Sequence, residues 1–150
     1  MSLLTIYRVE DDQTKGPYRV QSRHTDRQAE ATTDMSRRHT SWRQWDRDVT
    51  SATHPDLHPG PPQDYGMATR WQFMDWSARC GSRNYNFGFP TLERLGQWFF
   101  GERDTLELLN MHVAAYEVPH QAVIRGEWQL VFRRPSARLV ETMPLKGIVE

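Results

Sequence analysis

The residues best suited to chemistry in this sequence are its arginines and aromatic side chains. The segment 37–47 is the most basic and aromatic part of the chain, and its candidate partner-binding residues are Arg37, Arg38, Trp42, Arg43, Trp45 and Arg47. Guanidinium groups pair with phosphates or carboxylates, and indole rings stack on bases or anchor protein interfaces. Two interpretations stand: these residues form a binding surface, or they lie on an amphipathic helix that docks its Trp side chains on the core.

A second group of residues combines an arginine, aromatic rings and a carboxylate from separate parts of the chain. Its members are Tyr7-Arg8, Gly16-Pro17-Tyr18, the run Phe87 to Thr91 and the run Gly126 to Phe132. Chemistry at a nicotinamide ribose needs a group that holds phosphate, aromatic walls, and a carboxylate or amide near the ribose. This set could supply each part, but core positions in strands equally suit Tyr7, Phe87, Phe89 and Phe132.

The histidines do not define a metal site. His54 and His58 are four residues apart, but the proline after each argues against a helix that presents both on one face. Neither an acidic residue nor a second cysteine beside Cys80 stands at a recognisable ligand spacing. We therefore assign no metal.

Taken in chain order, the second group resembles a short protein type carried by tailed bacteriophages and prophages. More distantly, it resembles the ADP-ribosyltransferase-like fold. The resemblance covers about residues 2–18 and 84–145: a first strand ending in Tyr7-Arg8, an aromatic strand that turns into a helix, and a late carboxylate-bearing strand.

The resemblance implies NAD as the cofactor and assigns roles to individual residues. The implied cofactor-binding residues are Tyr7, Arg8, Phe89 and Thr91, and the implied catalytic residues are Glu127 and Gln129. Gln129 stands where the family has its catalytic Glu. An amide cannot carry the charge that stabilises a ribosyl cation, although it can hydrogen-bond a ribose hydroxyl.

Composition limits the partners and the compartment. Lys plus Arg and Asp plus Glu both total 19, so the overall charge does not attract nucleic acid or an anionic membrane, and any nucleic-acid contact must be local. The single cysteine and the absence of a signal-peptide pattern favour the reducing host cytoplasm. No apolar run approaches the roughly 20 residues that span a bilayer, so no membrane partner is expected.

The patterning predicts one α+β domain over residues 1–150, with a small, mostly antiparallel sheet and two to four helices. Strands are predicted at 3–9, 85–90, 113–118, 122–125, 128–133 and 137–142. Helices are predicted at 67–81, at 91–101 with Thr91 as the cap, and from a capping box at Asp104 and Glu107 through Met111.

A long polar insertion at about 19–66 follows the first strand. Its aliphatic content is low and it ends in a proline-rich stretch, which indicates either a functional insertion or a partly mobile one. We expect a short helix within it, near residues 34–49.

Two functions fit these observations. The first is a phage-type accessory protein that binds and inhibits a host or defence component, for example of CRISPR, through the 37–47 surface. The alternative is an ADP-ribosyltransferase-like enzyme or NAD-binding protein that modifies or senses a host target. The Gln at position 129 favours binding over transfer.

Overall fold

The computed structural model describes residues 2–18, 20–39, 85–126 and 129–150. Within these ranges the strands and helices are β1 Leu3–Glu10, α1 Asp26–Arg38, β2 Tyr85–Gly88, α2 Leu92–Trp98, α3 Arg103–Leu108, β3 His112–Pro119, β4 Val123–Arg125, β5 Leu130–Arg133 and β6 Arg138–Met143. Two 3-10 turns, His120–Ala122 and Arg134–Ser136, precede β4 and β6. The predicted α+β class is confirmed.

The strands form two antiparallel three-stranded sheets, with the orders β1-β3-β6 and β2-β5-β4. The longest pairing joins β1 to β3, from Leu3 opposite Pro119 to Glu10 opposite His112. The sheets meet at Tyr7 and Phe89, whose backbones exchange hydrogen bonds of 2.9 and 2.8 Å. The first strand, the aromatic strand and the four late strands were all predicted from their β-branched and aromatic residues, and all form.

Two apolar clusters cover the two faces of the β1-β3-β6 sheet. Side chains alternate between the faces of a strand, so Ile6 and Tyr116 point one way and Val9 and Val113 the other. The first pair packs with Phe132 of the second sheet. The second pair packs with residues from the helices, including Met35, Leu95, Trp98 and Leu106.

Helix α1 lies inside the predicted polar insertion and begins earlier than expected. The sequence prediction began near Asp34, whereas the helix begins at Asp26 because Thr25 and Gln28 form a capping box. Met35 is fully buried against the other helices, so this polar helix is held by few but large apolar contacts. Residues 40–49 of the predicted helix lie outside the described residues.

The predicted cap of α2 is present, whereas the predicted cap of α3 is not. Thr91 caps α2 as predicted, its hydroxyl accepting from the Arg94 amide at 3.0 Å. The predicted capping box at Asp104 and Glu107 is wrong, because the N-cap of α3 is Glu102, two residues before Asp104, and its side chain makes no capping hydrogen bond. Glu107 instead accepts from Arg103 at 2.7 Å. The helix predicted at 67–81 lies outside the described residues.

Candidate functional site

Five polar side chains meet where the two sheets join, and we call them the Arg8 cluster: Arg8, Glu10, Asn86, Tyr116 and Arg134. Alternation along β1 places the first two on the same face as Ile6, towards the second sheet. Asn86 comes from β2, Tyr116 from β3, and Arg134 from the 3-10 turn after β5. Four segments distant in sequence therefore build this site.

Glu10 is the centre of the Arg8 cluster and is only 2% exposed. Its Oε1 accepts from Arg8 Nε at 3.1 Å and from Arg134 Nη1 at 3.3 Å. Its Oε2 accepts from the Tyr116 hydroxyl. A buried carboxylate needs such donors, because leaving it unpaired costs several kcal/mol, on the order of 3–5.

Arg134 and Arg8 have further partners that set their orientation. Arg134 donates to the Tyr116 hydroxyl at 2.7 Å and to Asn86 Oδ1 at 3.3 Å, and its guanidinium lies 4.5 Å from the Tyr116 ring centroid. Arg8 Nη1 donates to the Phe87 carbonyl at 3.0 Å. The two guanidinium groups are therefore held beside each other at the junction of the sheets.

The electrostatics of the Arg8 cluster leave one excess positive charge. Burial lowers the pKa of Arg8, against the opposing effect of Glu10. Burial, reinforced by Glu10, raises the pKa of Tyr116 to about 12, so the phenol is neutral at physiological pH. Two guanidinium groups then face one carboxylate, and Arg134 keeps about a quarter of its side chain (26%) exposed to solvent.

Gly16 packs against this cluster. A Cβ atom on Gly16 would lie 3.0 Å from Arg8 Nη2, so the loop backbone approaches the guanidinium closely. The structure thus brings together Arg8 and the Gly16 loop, which the sequence analysis had grouped.

A second polar group connects the loop after β1 to the helices, and we call it the His39 cluster: Tyr18, Arg38, His39, Trp98 and Glu102. The Tyr18 hydroxyl is 2.6 Å from His39 Nδ1 and accepts from Trp98 Nε1 at 2.6 Å. His39 Nε2 is 3.1 Å from Glu102 Oε2, and Arg38 binds the same carboxylate through Nε and Nη2 at 2.6–3.2 Å.

The donor and acceptor properties of these groups determine which atoms of the His39 cluster carry protons. Glu102 can only accept, so the proton of a neutral His39 ring lies on Nε2 and Nδ1 accepts from Tyr18. Burial alone would raise the pKa of Glu102, but hydrogen bonds from His39 and Arg38 lower it to about 2. Burial raises the pKa of Tyr18 well above its usual value, although the bond from Trp98 acts in the opposite direction.

Sequence reasoning did not find the His39 cluster. Tyr18 was grouped with the nicotinamide set, and Glu102 had no assigned role. The members are separated by up to 84 positions in the chain, from Tyr18 to Glu102, and no spacing rule connects them. The one local signal is that His39 and Arg38 stand at the carboxyl end of α1, where cations are favoured.

A third group lies on the surface beside the His39 cluster. The Arg37 side chain is 73% exposed, and Phe100 is 72% exposed in the turn between α2 and α3. In sequence, Phe100 follows Phe99 and precedes Glu102. The Phe99 ring centroid is 6.1 Å from that of His39, and Glu102 binds Arg38. We call Arg37, Arg38 and Phe100 the α1-end surface. Phe100 had no predicted role.

Of the implied cofactor-binding residues, Tyr7, Arg8 and Phe89 lie at the sheet junction, but the Tyr7 and Phe89 side chains belong to the helix-side cluster, whereas Arg8 points to the opposite face of β1. Phe89 is 5% exposed, and its ring centroid lies 5.4 Å from that of Trp98, so it packs in the core. Thr91 caps α2 through its hydroxyl. Their roles towards NAD stay predictions.

The implied catalytic residues stand before β5. Gln129 is buried, and its backbone carbonyl accepts from the Gly126 backbone amide at 2.8 Å. Glu127 lies outside the described residues, as do the predicted partner-binding residues Trp42, Arg43, Trp45 and Arg47. In the part of the chain that the structure describes, no helix has the length and apolarity needed to cross a bilayer.

Comparison with known proteins identifies a family. The profile described as Bacteriophage T4 Y00F protein matches residues 1–146. No curated protein and no solved structure matches the chain. The expected phage origin is confirmed, whereas the ADP-ribosyltransferase-like part of the resemblance stays a prediction. Because the match spans nearly its whole length, the chain belongs to the Bacteriophage T4 Y00F protein family.

Proposed function

We propose that this protein is a phage accessory protein that binds a host or defence-system protein through the α1-end surface and thereby inhibits it. The observation that carries the proposal is Phe100, a large apolar side chain that is 72% exposed and stands two residues before Glu102, the carboxylate that binds Arg38. Aromatic residues and arginine dominate interface hot spots, where an aromatic anchor fills a pocket and arginine pairs with carboxylates.

The α1-end surface is held in place before any partner binds. Glu102 clamps Arg38 with hydrogen bonds of 2.6, 2.9 and 3.2 Å, and the preceding Phe99 is buried in the core. A preorganised surface loses less conformational entropy on binding. Arg37 pairs with Asp34 at 3.5 Å but is 73% exposed, so it can still bind a partner's carboxylate. The two arginines therefore favour a partner that presents acidic side chains around an apolar pocket.

The α1-end surface includes the first two residues of the segment 37–47, which the sequence predicted as a binding surface. Arg37 and Arg38 are the first two of the six candidate partner-binding residues, and the other four follow within nine positions of Arg38. A small phage protein that covers a functional surface inhibits by occupancy and needs no chemistry of its own.

The test is capture of the partner from host lysate, followed by titration of the purified partner. We expect Phe100→Ala and Arg37→Glu each to weaken binding about tenfold or more and to relieve inhibition in the partner's own assay. The matched control is Leu3→Ala, because Leu3 is also an exposed apolar residue, at 49%, but lies on β1. Unchanged affinity in both test variants would overturn the proposed surface.

A second candidate function rests on the excess positive charge of the Arg8 cluster. Paired guanidinium groups bind phosphate in bidentate geometry, and the arrangement is compatible with holding the phosphates of a nucleotide such as NAD. The protein would then sense NAD or transfer ADP-ribose to a host target.

Calorimetric titration with NAD tests this second candidate. We expect binding that is lost in Arg134→Gln, which keeps a hydrogen-bonding side chain at a partly exposed position, and kept in Arg37→Ala. Mass spectrometry of host proteins for added ADP-ribose separates transfer from sensing. Absence of NAD binding at about 1 mM, which excludes affinity tighter than roughly −4 kcal/mol, would remove the candidate.

A further inference from the structure

Strand β6 is an open edge of the sheet formed by the described residues. Through the Tyr7–Phe89 bridge the described strands follow one another in the order β6-β3-β1-β2-β5-β4. Among the described residues β6 pairs only with β3, and five of its six side chains are exposed. An edge strand presents backbone amides and carbonyls that can pair with another strand.

A bulge in β6 changes which of its side chains share a face. Glu141 lies opposite Ala115, and Leu139 lies opposite the next residue of β3, so Val140 between them is the extra residue. Arg138 lies opposite Glu117. Ala115 and Glu117 are two apart on β3 and point to the same face, so their partners do so too. Arg138 and Glu141 therefore point to the same face of the sheet, and their backbone N–H and C=O groups point to the same side of the strand. In a regular strand, residues three apart have neither property in common.

We propose that β6 pairs antiparallel with β6 of a second copy of this chain, about a two-fold axis between Leu139 and Val140. This register places Arg138 opposite Glu141 of the partner subunit, and the symmetry repeats the pair on the other side of the axis. Leu139 then packs against Val140 of the partner subunit, and Val140 packs against Leu139 of the partner subunit. Both side chains are 50% exposed in the single chain. Opposite charges and apolar pairs facing each other stabilise antiparallel strands.

The charges of β6 favour a second copy over an unrelated strand. The order Arg-Leu-Val-Glu is complementary to itself when reversed, which the bulge makes possible. Within the described part of the chain Glu141 makes no ion pair, so its charge is available to a partner. Arg138 contacts Glu117 of its own sheet and is 72% exposed, which allows it to bridge two carboxylates.

Two further features favour this edge. β6 contains no Lys or Pro, and its bulge and two charged side chains, which hinder pairing with an unrelated strand, are complementary to those of a second copy. The other open edge, β4, is only three residues long. The β6 edge shares no residue with the α1-end surface, and the dimer proposal does not rest on the proposed inhibition.

Sedimentation equilibrium of the full chain tests the proposal. We expect a concentration-dependent monomer–dimer equilibrium between about 1 µM and about 1 mM. Glu141→Arg creates two like-charge pairs and should raise the dimer dissociation constant about tenfold. The double variant Arg138→Glu with Glu141→Arg exchanges the charges, restores both pairs and should return the constant close to the wild-type value.

A second charge exchange provides the matched control. Arg103→Glu with Glu107→Arg inverts an exposed ion pair on α3 and should leave the dimer constant unchanged. Circular dichroism confirms that each variant is folded. A monomer throughout the concentration range would overturn the proposal, and so would a dimer that Glu141→Arg does not weaken or that the double variant does not restore.

Discussion

The hydroxyl of Tyr18 lies 2.6 Å from Nδ1 of His39 and connects the loop after β1 to the end of α1. Trp98 donates to the same hydroxyl, and Glu102 accepts from the other ring nitrogen of His39. One chain of hydrogen bonds thus joins the loop and all three described helices. Arg38 of the α1-end surface binds the Glu102 carboxylate, so these hydrogen bonds also hold part of the proposed binding site.

Removal of the Tyr18 hydroxyl should destabilise the fold. In Tyr18→Phe the Trp98 indole N–H and His39 Nδ1 each lose this partner in a partly buried setting, and we expect the free energy of unfolding to fall by about 2 kcal/mol. Urea denaturation measures this change. The control is Tyr7→Phe, because the Tyr7 hydroxyl makes no hydrogen bond within the described residues. Equal effects in the two variants would contradict the role of the Tyr18 hydroxyl.

Neutralising Glu102 should cost a similar amount. Glu102→Gln removes the anion that Arg38 and His39 bind, and hydrogen bonds to charged groups contribute about 1.5–3 kcal/mol each. We therefore expect a loss of about 2 kcal/mol in urea denaturation at neutral pH. Glu107→Gln breaks an exposed pair with Arg103 and should change stability by less than about 1 kcal/mol. A smaller effect at Glu102 than at Glu107 would show that the buried pair does not stabilise the fold.

The same carboxyl should make stability depend on acid pH. The pKa of Glu102 is about 2 in the folded protein, against an ordinary value of 4.5. A depressed folded-state pKa contributes stability above the unfolded value, and this contribution is lost as pH falls from about 4.5 towards 2. The difference in unfolding free energy between wild type and Glu102→Gln should therefore shrink over this range. A difference that stays constant down to about pH 2 would contradict the assignment.

Gly96 should be intolerant of a side chain despite lying in a helix. Alanine normally stabilises a helix relative to glycine by about 1 kcal/mol, but a Cβ at Gly96 would lie 2.4 Å from the carbonyl oxygen of Ile148. We expect Gly96→Ala to destabilise the protein by about 2 kcal/mol, because the segment around Ile148 must move. Thermal unfolding measures the effect, with Gln97→Ala on the exposed side of α2 as the control. Stabilisation by Gly96→Ala would show that the carboxyl-terminal segment does not pack as described.

Local patterns accounted for much of the fold. The β-branched and aromatic runs predicted the strands, and Thr91 predicted the start of α2, because both depend on neighbouring residues. The start of α1 was misplaced although its signal is also local: Thr25 and Gln28 form a capping box in a segment whose polarity suggested a loop. For α3 the prediction from Asp104 failed because Glu102, two residues earlier, is the N-cap and the helix begins at Arg103.

The sequence alone established a neutral, α+β chain with an arginine on its first strand and an aromatic second strand, because composition and periodicity act over short distances. Only the tertiary structure placed Glu10 between Arg8 and Arg134, and His39 between Tyr18 and Glu102. These groups come from segments up to 126 positions apart, from Arg8 to Arg134, and meet because burying the two apolar clusters folds the sheets and helices together. Buried charges then require partners from whichever segments the packing brings near.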